Sequence, residues 1–148
     1  MTEYFMPGED SPAAAIAAIG DELGLFDDWL ERYEFIIELG RKLPPYPAAW
    51  QDEAHRVQGC QSQVWLAQHQ EGEKFFFTGA SDAAIVSGLV ALVLRVYSGR
   101  TRPEILGTSA KFLHDLGLIG ALSTNRGNGV AAMVERIQGM AKNSPAHS

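Results

Sequence analysis

The run from Ala83 to Val96 sets the first constraint on this chain. It is apolar except for Ser87, Gly88 and Arg95. It is shorter than the roughly 20 residues that a bilayer crossing requires, so it reads as a helix buried inside a globular domain. Val86, Leu89, Val90, Val93 and Val96 form a stripe at helical spacing, and Ile85, Leu92 and Leu94 widen it. Such a helix must be covered from more than one side. The 148 residues of the chain suffice for one domain that wraps it. Just before it, Ser81-Asp82 offers a cap, with an acidic charge at the positive end of the helix.

The covering elements follow from local signals. Ser11-Pro12 reads as an N-cap followed by Pro at the first helical position, opening an alanine-rich helix to Ile19 with Gly20 as its stop. A second helix starts near Asp27-Asp28. It turns Trp29, Tyr33, Ile36 and Ile37 inward and Glu31, Arg32 and Glu34 to water, and it ends at Gly40. Leu43-Pro44-Pro45-Tyr46-Pro47 is an extended connector. Ser62–Gln70 and Lys74–Thr78 read as a strand pair around a turn at Glu71-Gly72-Glu73, with Trp65 and Phe75 to Phe77 in the core. Thr101-Arg102-Pro103 opens a short helix, and Ser109–Leu116 gives another that Gly117 stops. The last helix begins around Asn128 to Val130, runs to about Ala141, and carries the stripe Val130, Met133, Val134, Ile137. The reading is an α+β domain, a small antiparallel β-sheet flanked by helices. Residues 1–10 are expected to be a flexible N-terminus, 11–142 a single domain and 143–148 a disordered tail.

Composition narrows the function. A net charge of −6 argues against a nucleic-acid binder, which needs a basic surface to neutralise phosphates. The N-terminus lacks a basic n-region and a long apolar stretch, so no secretory signal is read and the expected compartment is cytoplasmic. A lone cysteine stays reduced there. One cysteine excludes an internal disulfide and any zinc or cluster site that needs several thiolates from this chain. His69, His114 and His147 show no metal spacing.

That cysteine, Cys60, sits outside any aliphatic stripe, between Gly59 and the polar run Gln61-Ser62-Gln63. Glycine allows backbone angles closed to other residues, and the polar run supplies donors for a sulfur anion. Context alone leaves a functional thiol and a quiet one both open. His55 lies five residues before Cys60, and a Cys–His pair would need a third, orienting group. His55 is read as a surface residue.

The block Val57-Gln58-Gly59-Cys60-Gln61-Ser62-Gln63-Val64-Trp65 resembles the signature of the SufE family, also known as SufE/CsdE-type cysteine desulfuration proteins. Further blocks are similar to the same family in the same order. They are Trp29 to Tyr33 with Ile36 to Gly40 and Leu43-Pro44, then Ser81 to Leu89, then Leu116 to Leu118 with Leu122-Ser123, Arg126, Asn128-Gly129 and Ala132-Met133. Ala121 and Thr124 stand where relatives often carry His and Pro. The resemblance implies a SufE/IscU-like fold and a sulfur acceptor that stimulates a cysteine desulfurase. Cys60 would take persulfide sulfur from a pyridoxal-phosphate (PLP) desulfurase of the SufS/CsdA type and pass it to an iron–sulfur scaffold complex of the SufBCD type. The PLP belongs to the partner. This chain would bind no cofactor and carry only a transient Cys60 persulfide. Nucleic acid and membrane are not expected partners, and the chain is expected as a monomer or weak homodimer. The resemblance further implies that the cysteine loop tucks its sulfur away when idle, with Gly59 as hinge. Arg56, Gly59, Gln61, Ser62, Gln63, Asp82 and Arg126 are the candidates for holding the loop or meeting the partner.

Three other classes compete with this one. A cysteine hydrolase needs a base and an oxyanion hole around Cys60. An iron–sulfur scaffold needs more ligands than one thiol. An adaptor or regulatory α+β domain with an inert thiol is the main alternative.

Overall fold

In a computed structural model of the chain, which describes residues 4–58, 63–118 and 124–143 and only the backbone of 124–129, helix α3 (Ala84–Tyr97) runs through the centre. Val86, Leu89, Val90, Leu92, Val93, Leu94 and Val96 are all buried, as its composition requires. On one side lies α2 (Trp29–Arg41), which Asp28 caps through a bond from the Glu31 amide. The two helices cross at Gly40 and Gly88. A Cβ on Gly40 would lie 2.6 Å from the Gly88 amide nitrogen, and one on Gly88 would strike the Ile36 carbonyl. The helices therefore meet backbone to backbone, and Ile36 packs fully buried beside the crossing.

On the other side of α3 lies an antiparallel sheet in the order β1-β2-β3. Strand β1 (Val64–Glu71) pairs with β2 (Lys74–Ser81) in register from Val64 opposite Ser81 to Glu71 opposite Lys74. Gly72, at φ +61°, supplies the left-handed turn geometry of this tight hairpin. Phe75 and Phe77 are buried in the common core with α3. The sheet extends to a two-residue β3 (Arg100–Thr101) that the sequence reading lacks. Helix α1 (Pro12–Leu23) also packs on α3, after the expected Ser11 cap and Pro12 start. Short helices α4 (Arg102–Leu106) and α5 (Lys111–Asp115) follow, and α6 (Thr124–Asn143) closes the core with Met133, Val134 and Ile137 buried. No helix among the described residues is long and apolar enough to cross a membrane.

Several local expectations change. From Tyr4 on, the N-terminal segment is tied down rather than frayed. The Phe5 amide donates to the Phe77 carbonyl at 2.8 Å, and the Ser98 hydroxyl donates to the Phe5 carbonyl at 2.7 Å. The Glu9 carboxylate pairs with Arg95 at 2.8 Å, and that hydrogen bond holds its carboxyl below the usual range. Glu22 meets the same guanidinium at 2.6 Å. Helix α1 runs past Gly20 to Leu23, because packing against the core outweighs one unfavourable residue. Arg32 turns back to the carbonyls of Leu23 and Phe26 instead of facing water, which fixes the turn between α1 and α2. Strand β2 extends to Ser81, the α5 helix proper is shorter than Ser109–Leu116, and α6 starts at Thr124. The expected tail at 143–148 lies, from 144 on, outside the described residues.

Substituting Gly88→Ala tests the crossing. Helix propensity alone would reward the change by about 1 kcal/mol. Backbone collision predicts instead a loss of about 3 kcal/mol, read as a lower denaturant midpoint at unchanged slope. A stabilised variant would contradict the close approach.

Candidate functional site

The segment that carries Cys60 leaves and rejoins the fold at one edge of the sheet. Before β1, the Val57 amide donates to the Val64 carbonyl at 2.8 Å, and Arg56 forms an isolated antiparallel bridge with Trp65. Val57 and Val64 are each only 2% exposed, so this rung is anchored in the core. Residues 58–63 join its two ends. Gly59, Cys60, Gln61 and Ser62, and with them the expected shielding of the sulfur, lie outside the described residues.

The outgoing arm is held from the β2–α3 turn. The Gln63 amide donates to Asp82 Oδ1 at 3.1 Å, and the Asp82 amide donates to the Gln63 carbonyl at 3.3 Å. Asp82 therefore does not cap α3. Ala83 stands at the N-cap with no side-chain bond. The turn is stiffened by Ser81, whose Oγ accepts from the Ala83 amide at 3.2 Å and whose carbonyl accepts from Ser87 Oγ at 3.2 Å.

The incoming arm arrives through two single 3₁₀ turns, Ala48–Trp50 and Glu53–His55. Asp52 caps the second. Its Oδ1 accepts from the His55 amide at 3.0 Å and faces His55 Nδ1 at 2.7 Å, and the His55 contact holds the Asp52 carboxyl below its usual range. The His55 ring is stacked on Trp50 with centroids 6.2 Å apart, so it is a half-buried structural residue rather than a free surface histidine. The Tyr46 hydroxyl donates to the Trp50 carbonyl at 3.0 Å, and Tyr4 packs on Trp50 at 5.9 Å. The Arg56 side chain bridges to Glu53 at 3.0 Å on the surface. Its carbonyl accepts from Arg136 Nη1 at 3.2 Å, while Arg136 Nη2 donates to the Ala54 carbonyl at 3.1 Å.

Among the candidates named from sequence, Arg56, Gln63 and Asp82 thus meet at the base of the loop. Arg126 lies on α6, of which only the backbone is described there. Arg136 was missed. It belongs to no motif and reads as one cation on a solvated helix face. The available signal was its place beside the buried stripe residues Met133 and Ile137, where a long side chain reaches past the core to a neighbouring segment. Among the described residues no group of His, Cys, Asp and Glu has the arrangement of a metal site.

The sequence pattern of SufE, described as an Fe-S metabolism associated domain, matches residues 17–141. The chain belongs to the SufE family. It is 42% identical over 127 residues to an uncharacterized SufE-like protein of Rhizobium meliloti strain 1021, covering 82% of this chain and 91% of that relative. It is 41% identical over 140 residues to another from Rhizobium etli, covering 91% and 95%. A solution structure of a hypothetical protein from Thermus thermophilus shares the fold, with a TM-score of 0.72 at 22% identity over 86% of this chain and 93% of that one. Membership in the SufE family carries a sulfur-transfer role in Fe-S metabolism and interaction with a cysteine desulfurase. The N-terminal segment through Glu9 lies outside the matched region.

Asp82→Ala tests the outgoing arm. It removes the acceptor of the Gln63 amide, and that amide is expected to exchange about fivefold faster, as for loss of about 1 kcal/mol of local protection. The Phe77 amide, bonded to Ser98 Oγ inside the core, keeps its protection. Unchanged exchange at Gln63 would contradict the tether.

Proposed function

We propose that this protein is a sulfur acceptor for a pyridoxal-phosphate cysteine desulfurase, with Cys60 as the nucleophile. The observation that carries the reading is the position of the chain's single cysteine. It lies in the family's matched region, between two arms that separate elements of the fold hold through main-chain atoms of the arms. A loop fixed at both ends can offer its tip to another protein while the fold stays unchanged.

The Cys60 thiolate attacks the terminal sulfur of the donor's persulfide. The donor S–S bond breaks, the donor cysteine leaves as thiolate, and a new S–S bond forms on Cys60. Sulfur moves with no net oxidation or reduction. One thiol per chain suits this step, because a second within reach could form a disulfide and release the sulfur as sulfide. A scaffold complex that assembles iron–sulfur clusters then receives the sulfur by a second exchange of the same kind. Transfer between proteins that keep their thiols reduced belongs in the cytoplasm. Gly59 gives the loop a hinge, Gln61 and Ser62 supply donors to the sulfur anion, and Arg126 meets the partner or the anion.

Desulfurase turnover tests the proposal. Adding the protein to a desulfurase and cysteine is expected to raise the rate of alanine formation severalfold, and Cys60→Ser to abolish the gain. Stimulation that survives in Cys60→Ser would replace the acceptor by an adaptor with an inert thiol.

A further inference from the structure

We propose that Arg136 is a positioning residue for the Cys60 sulfur-transfer step. It acts through the backbone of the incoming arm, and the proposal rests on the acceptor reading above. The guanidinium is a planar fork, and here its two terminal nitrogens reach two carbonyls of one segment, Ala54 at 3.1 Å and Arg56 at 3.2 Å. The next residue, Val57, makes the buried rung with Val64, and Cys60 follows three positions later. The fork therefore grips the chain immediately before the loop begins.

Its platform is fixed. On the same helix, Met133 and Ile137 are buried in the core. Gln138 donates to the carbonyls of Thr108 at 2.8 Å and Ile105 at 3.3 Å, and Arg102 donates to the Ala141 carbonyl at 2.7 Å. Helix α6 is thereby locked to α4 and the segment after it. With Asp82 on the other side, two charged side chains from distant parts of the chain hold the two arms, both through main-chain atoms of the arms. Lys at 136 can keep one of the two bonds, and Ala keeps neither.

Arg136→Ala and Arg136→Lys are compared with the parent chain in two measurements. The first is single-turnover transfer from a persulfide-charged desulfurase at varied chain concentration. The second is alkylation of Cys60 by iodoacetamide across pH. A released arm samples more orientations. In Arg136→Ala the limiting transfer rate is therefore expected to fall about tenfold, with the half-saturating concentration within about twofold. Alkylation by the small reagent is expected to become about threefold faster, because it needs access and not orientation. Arg136→Lys falls between, and both variants keep the parent's circular dichroism. An unchanged limiting rate overturns the proposal. So does a raised half-saturating concentration at unchanged limiting rate, which would make Arg136 a partner contact. If the parent chain accepts no sulfur at all, the acceptor reading fails. The alkylation rates then still decide whether Arg136 holds the arm, and equal rates in all three chains overturn it.

Discussion

Gly40 and Gly88 let α2 and α3 touch backbone to backbone, and the geometry around the cysteine loop depends on that contact. With no side chain on either glycine, the two helices pack Ile36 into the core and fix where α3 begins. The start of α3 is bonded to the end of β2 through Ser81 and Ser87, so β2 and α3 are joined at a set angle. Asp82 occupies that corner and reaches Gln63. A shift of α3 by one residue along α2 would carry Asp82 away from the loop. The site is thus built by helix packing at a distance, and its own residues contribute only the last bonds.

The fold was legible where burial and periodicity agree. The run from Ala83 to Val96 is so apolar that it had to be central. Phe75 and Phe77, on one face of β2, share its core, while strand alternation turns Phe76 to the other face. Ser11-Pro12 and Asp28 marked helix starts because their side chains bond the neighbouring backbone locally. Features that depend on distant partners were not legible. Nothing near Glu9 announces that Arg95 will hold it, and a two-residue strand has no pattern of its own. Asp82 shows where local rules stop. By those rules it caps a helix, and only the family resemblance named it as a candidate for holding the loop. The folded chain presents it with the Gln63 amide, 19 residues away in sequence.

The candidate site divides in the same way. The cysteine block was readable because the motif is continuous from Val57 to Trp65. Of its supports, Asp82 was named only through the resemblance and Arg136 not at all, because they lie far from the motif in sequence, one in the β2–α3 turn and one on α6. Arg56 takes part through its backbone rather than its charge, a role that residue type does not encode. Main-chain clamping also leaves side chains of the arms available to a partner.

The central claim is that sulfur passes onto Cys60. The most direct measurement is the intact mass of this protein after a single turnover with a persulfide-charged desulfurase, followed by fragmentation to locate the added atom. The account predicts a gain of one sulfur on Cys60, matched by its loss from the donor. Sulfur leaving the donor as free sulfide while the mass of this chain stays unchanged would contradict it.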